Sequence, residues 1–412
     1  MKRSFSRIRP TLISVLDVGT HKTCCWVAQA DGSGFRIVGA GHQATKGYQG
    51  GHVKDMAALE ASIAGAVHEA ERACGETISR VFLNLGGSAL KSSMRSGQIS
   101  VLGKTVTEED LQRLFLEARL QTDPENYRTL HALPLQYTLD GEKGIENPLG
   151  MIGRTLSGSF HCVSIPVSAI QNMLLAVEKA PLEPHALVAS AYAAGLSVLT
   201  QDERTLGVTV VDIGAGGSAI GVFWGGQIVY TDFVPMGGQH ITLDLAQGLE
   251  TSIMHAERLK VLYGACYGSP KDSGDMIQVL SLTEGARSVP RSVLVEIIAP
   301  RVEEILQNIY KKLQNCHLAP LLSQRMVLTG GTSQLPGLRE LAQERFHLTV
   351  RLGKPQAIPG ASGSDRPEFS ALSGMLKYTQ NEEFQRMAGF LGGKKHTLPF
   401  FRQMTSWFKE NL

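Results

Sequence analysis

Two short stretches carry residues of the right type and spacing for phosphate and metal chemistry. Asp17-Val18-Gly19-Thr20-His21-Lys22 and Asp212-Ile213-Gly214-Ala215-Gly216-Gly217-Ser218 each follow one apolar run and precede another. An aspartate at a strand end can hold hydrated Mg2+, an ion that takes carboxylate, water and phosphate oxygens. The glycine beside it lets backbone N–H groups approach a phosphate closely. Thr20 and Lys22 supply hydroxyl and ammonium donors in the first stretch. Gly214, Gly216, Gly217 and Ser218 occupy the corresponding turn in the second. A single Asp-x-Gly is an everyday turn; its recurrence between matched apolar runs in the two halves of the chain is the signal. A third turn, MVLTGGTSQLPG over Met326–Gly337, leads from an apolar strand, Met326–Thr329, through Gly330-Gly331 to a predicted helix, Pro336–Phe346. Paired glycines at such a turn can lie against a flat base or sugar.

The elements that must carry these turns follow from the flanking pattern. Each acidic turn joins two apolar runs (Ile13–Ala28, Val208–Phe223), and further turns at Asp31–Gly34 and Gly225-Gly226 lead to third strands, Phe35–Gly39 and Gln227–Thr231. This predicts three antiparallel strands in each unit. Leu294, Ile297, Ile298, Val302, Ile305, Leu306 and Ile309 recur at helical spacing and predict a long helix over Arg291–Gln314, kinked at Pro300, with a core-facing stripe.

Composition bounds the function. A chain of 412 residues predicts several domains, and 43% hydrophobic with 19% charged residues describes a globular protein. Lys+Arg of 40 against Asp+Glu of 38 leaves a net charge of +2, which argues against nucleic acid as a partner. The six cysteines form no CxxC pair and read as reduced thiols. Four basic residues near the start are followed by Asp17 rather than an apolar signal core. Ala186–Leu199 is too short to span a bilayer, so a cytosolic protein is expected unless something tethers it.

With three such turns the chain resembles the superfamily of actin, DnaK-type chaperones and sugar kinases, and within it the FtsA family of bacterial cell-division proteins along nearly its whole length. The family resemblance is carried by His131–Tyr137 (HALPLQY), Asp140-Gly141, Ile145–Gly153 (IENPLGMIG) with Leu156, Val198–Val208, Val234–Ala246 and Ala256–Gly264, and Thr107–Leu111 opens a helix in the same region. It implies an α/β, actin-like (ribonuclease H-like) two-lobed fold with a family-specific inserted subdomain, and ATP with Mg2+ in the cleft. Asp17 and Asp212 would flank the metal. Gly19, Thr20, His21, Lys22, Gly214, Gly216, Gly217, Ser218 and Gly238 would line the nucleotide. Glu257 and Lys260, sharing a helix face at i, i+3, would lie over ribose and adenine, with Gly330, Gly331 and Ser333 on the other side of the base. His131, in the inserted subdomain, reads as structural.

The implied subdomains are residues 1–82, 162–193 and 370–380 (first core), 83–161 (inserted), 194–235 and 319–369 (second core), 236–318 (small), 381–398 (linker) and 399–412 (terminal helix). The implied partners are the FtsZ C-terminal tail, further copies in an actin-like filament, membrane lipid and downstream divisome membrane proteins, at the cytoplasmic face of the inner membrane at the septum.

Two departures from the superfamily bear on turnover. Its second phosphate loop usually reads D-x-G-G-G-T; here Gly217 stands in the Thr place, and Ser218, one residue on in an extended segment, faces the other way. Phosphate contact in that half then rests on backbone N–H. The crossover helix expected at Val188–Gly195 (VASAYAAG) offers Ser190 but no carboxylate or amide to orient a water, and Glu183 lies about two turns away. Slow or negligible ATP hydrolysis is expected.

After Tyr378 a Gly- and Lys-containing linker leads to PFFRQMTSWFKENL, where Phe400, Phe401, Met404, Trp407, Phe408 and Leu412 share one arc of a helix. Aromatics opposite basic side chains suit a helix lying in a membrane interface. The expected function is therefore an ATP-binding, filament-forming adaptor between the FtsZ ring and the membrane. The alternatives are an active ATPase or sugar kinase on the same fold, and a pilus-assembly scaffold.

Overall fold

The computed structural model describes residues 12–31, 34–120, 126–268, 274–282, 285–316 and 324–380. The terminal helix, the linker and all six membrane-facing candidates, Phe400 to Leu412, lie outside the described residues.

The first lobe begins with β1 (Leu12–Val18), β2 (Lys22–Asp31) and β3 (Gly34–Ala44), then a small hairpin of β4 (Tyr48–Gln49) and β5 (His52–Val53), helix α1 (Met56–Cys74) and β6 (Arg80–Leu85). The inserted unit follows: β7 (Lys91–Thr105), α2 (Glu108–Leu120), β8 (Tyr127–Leu139), β9 (Glu142–Ile145) and β10 (Ile152–Pro166). Then come α3 (Val167–Lys179), β11 (Glu183–Ala189), α4 (Ser190–Val198) and α5 (Gln201–Leu206). The second lobe holds β12 (Val208–Ile213), β13 (Ser218–Trp224), β14 (Gln227–Val234), α6 (Gly238–Gly248), α7 (Ile253–Tyr263), β15 (Met276–Ser281), β16 (Gly285–Pro290), α8 (Arg291–Gln314), β17 (Arg325–Thr329), α9 (Leu338–Phe346), β18 (Thr349–Leu352) and α10 (Ser370–Thr379).

The two main sheets are built alike. One runs β11-β6-β1-β2-β3, the other β14-β13-β12-β17-β18. In each, three strands form an antiparallel meander and two more add in parallel beyond the first. The duplication seen in the acidic turns is thus a duplication of whole sheets. Near-continuous apolar strands such as Val208–Val211 follow from burial on both faces.

Helices α4 and α10 pack between the lobes. Val15 and Trp26 of the first sheet share one apolar cluster with Val210 and Phe223 of the second, through Tyr192, Leu196, Leu372 and Met375. The contact is so close that a Cβ on Gly374 would overlap the Ala193 carbonyl. The inserted unit is a separate sheet, β7-β10-β8-β9, with α2 packed on it through Leu111, Leu114, Phe115 and Ala118. Thr107 and Asp110 form a reciprocal cap at its helix start, Thr107 N–H and Oγ1 lying 2.9 and 2.8 Å from Asp110 Oδ2.

The expected divisions at 82/83, 161/162 and 193/194 fall within β6, β10 and α4. Other sequence expectations are corrected. Val188 and Ala189 end a strand rather than begin the crossover helix. Glu183 sits at the far end of that strand, on the surface, paired with Arg80 at 3.1 Å. A 3-10 turn at Gly331–Gln334 delays the start of α9 to Leu338. As expected, α8 spans Arg291–Gln314 with Pro300 inside it, and its predicted stripe is buried except for the partly buried Ile297.

Candidate functional site

The turns that follow β1, β6, β11, β12 and β17 all open onto one cleft between the lobes. This is where open α/β sheets collect ligands, at the carboxyl ends of parallel strands. The cleft encloses a cavity of about 720 Å³, within the range of small-molecule sites. Asp17, Gly19, Thr20, His21 and Lys22 line one wall. Asp212, Gly214, Gly216 and Gly217 line the facing wall, with Glu257 and Lys260 from α7 and Gly330 and Gly331 from the turn after β17.

Three candidates stand elsewhere. Ser218 is buried and donates to the Met236 carbonyl at 2.8 Å, so its side chain points into the second lobe, as alternation along β13 dictates. Ser333 is likewise turned inward, donating to the Gly330 carbonyl at 2.7 Å, because the 3-10 turn rotates it off the cavity. Gly238 stands behind the wall and presents its carbonyl to Lys260 Nζ at 3.0 Å.

The loops meet at van der Waals distance. A Cβ on Gly216 would overlap Thr20 Oγ1 of the opposite lobe, and one on Gly237 would overlap the Gly214 carbonyl. Only glycine leaves these amide edges open to a ligand. Thr332 reinforces the second loop by donating to the Gly214 carbonyl at 2.9 Å.

The two carboxylates have unusual electrostatics. Burial pushes the Asp17 carboxyl up to about 6, against the opposing pull of Lys22 and a hydrogen bond from Asn84. Burial pushes Asp212 up to about 7, the Asp17 charge adds to it, and Lys22 opposes. In both, the cost of burying a charge outweighs the pull of Lys22. Lys22 is the nearby cation, and its Nζ rests 3.7 Å from the centre of the Phe369 ring. Among the described residues no cluster of three or more His, Cys, Asp or Glu forms a ready metal cage. A pair of carboxylates alone suits Mg2+, which keeps water and phosphate oxygens in its remaining positions.

On α7, Glu257 and Lys260 pair at 2.7 Å. Lys260 Nζ also donates to Thr242 Oγ1 at 2.8 Å, and the Thr242 hydroxyl hydrogen bonds Glu257. Burial disfavours the Glu257 charge, but Lys260 and these hydrogen bonds outweigh it and hold the carboxyl below its usual range. The pair is therefore a fixed, charged feature of the wall rather than a solvated ion pair.

Some lining residues carry no sequence signal. Asn84, at the end of β6, accepts Val18 N–H at 3.1 Å, donates to Ser190 Oγ at 3.3 Å and hydrogen bonds Asp17. Tyr48, Gly50, Gly51, Gly86, Gln334, Arg366 and Glu368 also line the cavity. The two Gly-Gly pairs at 50–51 and 86–87 were the only visible hints. His131 lies outside the cavity: its Nε2 accepts the Ala189 N–H at 2.9 Å, and burial pulls its pKa down to about 4.

Two facing lobes with this strand order, packed on two shared helices, define an actin-like protein. The MreB5 protein of Spiroplasma citri bound to AMPPNP superposes with a TM-score of 0.55 at 12% identity, covering 92% of this chain and 98% of that one. A chain of a PilM-PilN type IV pilus biogenesis complex superposes with 0.62 at 19% identity, covering 90% and 99%. At such identities the likeness is one of fold. The chain belongs to the FtsA family of cell-division proteins. The model of cell division protein FtsA matches residues 209–374, and that of the SHS2 domain inserted in FtsA matches 87–164. The chain is 34% identical to the cell division protein FtsA of Rhizobium meliloti over 98% of its own length and 96% of that protein's. Against the Escherichia coli K12 protein of the same description it is 33% identical over 97% and 98%.

Proposed function

We propose that this cell-division protein binds ATP with Mg2+ in the cleft, assembles into actin-like filaments, and ties the FtsZ ring to the inner face of the cytoplasmic membrane, where later divisome proteins gather. The observation that carries the nucleotide reading is the convergence of both acidic turns, with their glycines, on one cavity with two buried carboxylates. Asp17 and Asp212 would hold the ion; Gly19, Thr20, Lys22, Gly214, Gly216 and Gly217 would receive the phosphates; Glu257, Lys260, Gly330 and Gly331 would bound sugar and base. The ion would neutralise phosphate charge between the lobes.

Turnover is slow in this reading. The amide bonded to Ser190 is that of Asn84, and its oxygen and nitrogen are already engaged with Val18, Ser190 and Asp17. It is a support for the wall, not a free group to orient water. This disfavours the kinase and active-ATPase alternatives.

Membrane attachment rests on the 399–412 segment. Burying each of its six large apolar side chains would be worth about 1.5–3 kcal/mol, offset by the cost of ordering the expected helix, so a single copy would attach reversibly and a filament firmly. Among the described residues no helix is long and apolar enough to cross a membrane. The small subdomain exposes Ile253, Met254 and Leu262 on α7 and Leu280 and Leu282 beside it. Such a surplus supports a protein contact there, the place the family reading gives to the FtsZ tail. The test is Asp212→Ala in the full chain. Loss of Mg-ATP affinity by titration, together with loss of sedimentable assembly, is expected; unchanged affinity refutes the reading.

A further inference from the structure

The β4–β5 hairpin belongs to neither acidic turn, yet its tip lines the cavity. Tyr48 pairs with Val53 and Gln49 with His52, which leaves Gly50-Gly51 as a two-residue turn. Their φ values of 56° and 91° place both in the left-handed region, as a tight hairpin turn of the primed type requires.

The position of this tip is fixed by contacts on three sides. Gly50 N–H donates to Thr20 Oγ1 at 3.1 Å. A Cβ on Gly50 would lie 3.7 Å from the Gly216 carbonyl of the opposite lobe. A Cβ on Gly51 would overlap Gly87 Cα, and one on Gly86 would come within 2.8 Å of Ser190 Oγ. His52 Nε2 and Ser88 Oγ, 3.3 Å apart, tie the hairpin to the segment after β6. The tip therefore sits where the two acidic turns meet, its backbone held close at Gly51, Gly86 and Gly87, where a side chain would not fit, while Gly50 itself has space beside it.

We propose that the Gly50-Gly51 tip is a third, backbone-built phosphate contact, one that reads the terminal phosphate of a nucleoside triphosphate where the two lobes adjoin. The inference rests on the nucleotide reading above and adds its selectivity. A diphosphate leaves this junction empty. A triphosphate carries its last anionic group into it, where the Gly50 amide, now spent on Thr20, becomes a donor to the ligand. The hairpin links β3 to α1, so the same contact makes the first lobe sensitive to which nucleotide is bound.

The test compares wild type, Gly50→Asp and Gly50→Asn as full-length proteins, by calorimetric titration with Mg-AMPPNP and with Mg-ADP. Asn and Asp both tolerate the left-handed conformation, and the open space at Gly50 admits either; circular dichroism checks that each variant is folded. A carboxylate a few ångströms from a doubly charged phosphate weakens binding by about tenfold or more. Gly50→Asp is expected to lose at least that much affinity for Mg-AMPPNP and less than about threefold for Mg-ADP, and Gly50→Asn, of similar size but uncharged, to lose less Mg-AMPPNP affinity than Gly50→Asp does. Equal losses for the two nucleotides, or no loss for either, overturn the proposal while wild-type binding leaves the nucleotide reading standing. Failure of the wild type to bind either nucleotide overturns the nucleotide reading itself.

Discussion

The facing carboxylates make nucleotide affinity depend on pH in a way that can be worked out. Without an added cation, Asp212 titrates near 7 and Asp17 near 6. In the proposed site a divalent ion would need both ionised, so affinity for the Mg-nucleotide is expected to be nearly full at about pH 8 and to fall as protons compete below it. Between pH 8 and pH 5, competition at the two sites amounts to roughly a thousandfold, or about 4 kcal/mol. Folding has the opposite sign. Both pKa values are raised above those of the unfolded chain, so the nucleotide-free fold gains stability from this pair as pH falls from about 7 toward 4. Loss of binding at pH 5 is thereby separable from acid unfolding. The nucleotide's own phosphate also titrates near 6, so the difference between proteins carries the argument. In Asp212→Asn the upper step disappears and the curve keeps one protein proton. In Asp17→Asn the remaining step moves below 7, because the Asp17 charge, second to burial, helps raise Asp212. The assay is calorimetric titration at half-unit pH intervals, with thermal unfolding measured in parallel. Affinity curves for wild type and Asp212→Asn that run parallel across pH 5–8 would refute the shared-cation geometry.

Other outcomes follow from single contacts. Gly216→Val drives a side chain into Thr20 Oγ1; overpacking of about 1–3 kcal/mol is expected to cost about tenfold in nucleotide affinity with secondary structure unchanged by circular dichroism, and wild-type affinity would show that the loops do not meet. His131→Leu leaves the Ala189 N–H buried without its acceptor and is expected to lower stability by about 1–3 kcal/mol, read as a lower melting temperature; an unchanged melt contradicts the bond. Trp407→Glu is expected to leave the protein folded but absent from anionic vesicles in flotation, and continued flotation counts against the terminal segment as the anchor.

How much of this was legible in the chain depends on whether the signal was local. The three-strand units could be read because a strand–turn–strand is specified by residues a few positions apart: alternation, turn glycines and an aspartate at the strand end. The same holds for α8, whose apolar spacing gave its ends at Arg291 and Gln314, and for Ser218, whose inward direction follows from alternation alone. Pairwise repetition of Asp17 and Asp212 was enough to single out the two turns that line the cleft.

What the sequence determined by itself was the pair of acidic turns, their glycines, and membership of a recognisable family. Tertiary structure alone decided who else stands at the site. Asn84, Gly50, Gly51, Arg366 and Glu368 come from segments far apart in the chain and converge because five strand ends open onto one cleft. It also decided the charge state of the aspartates, since desolvation depends on how completely two lobes close around a carboxyl group, and no spacing of letters measures that.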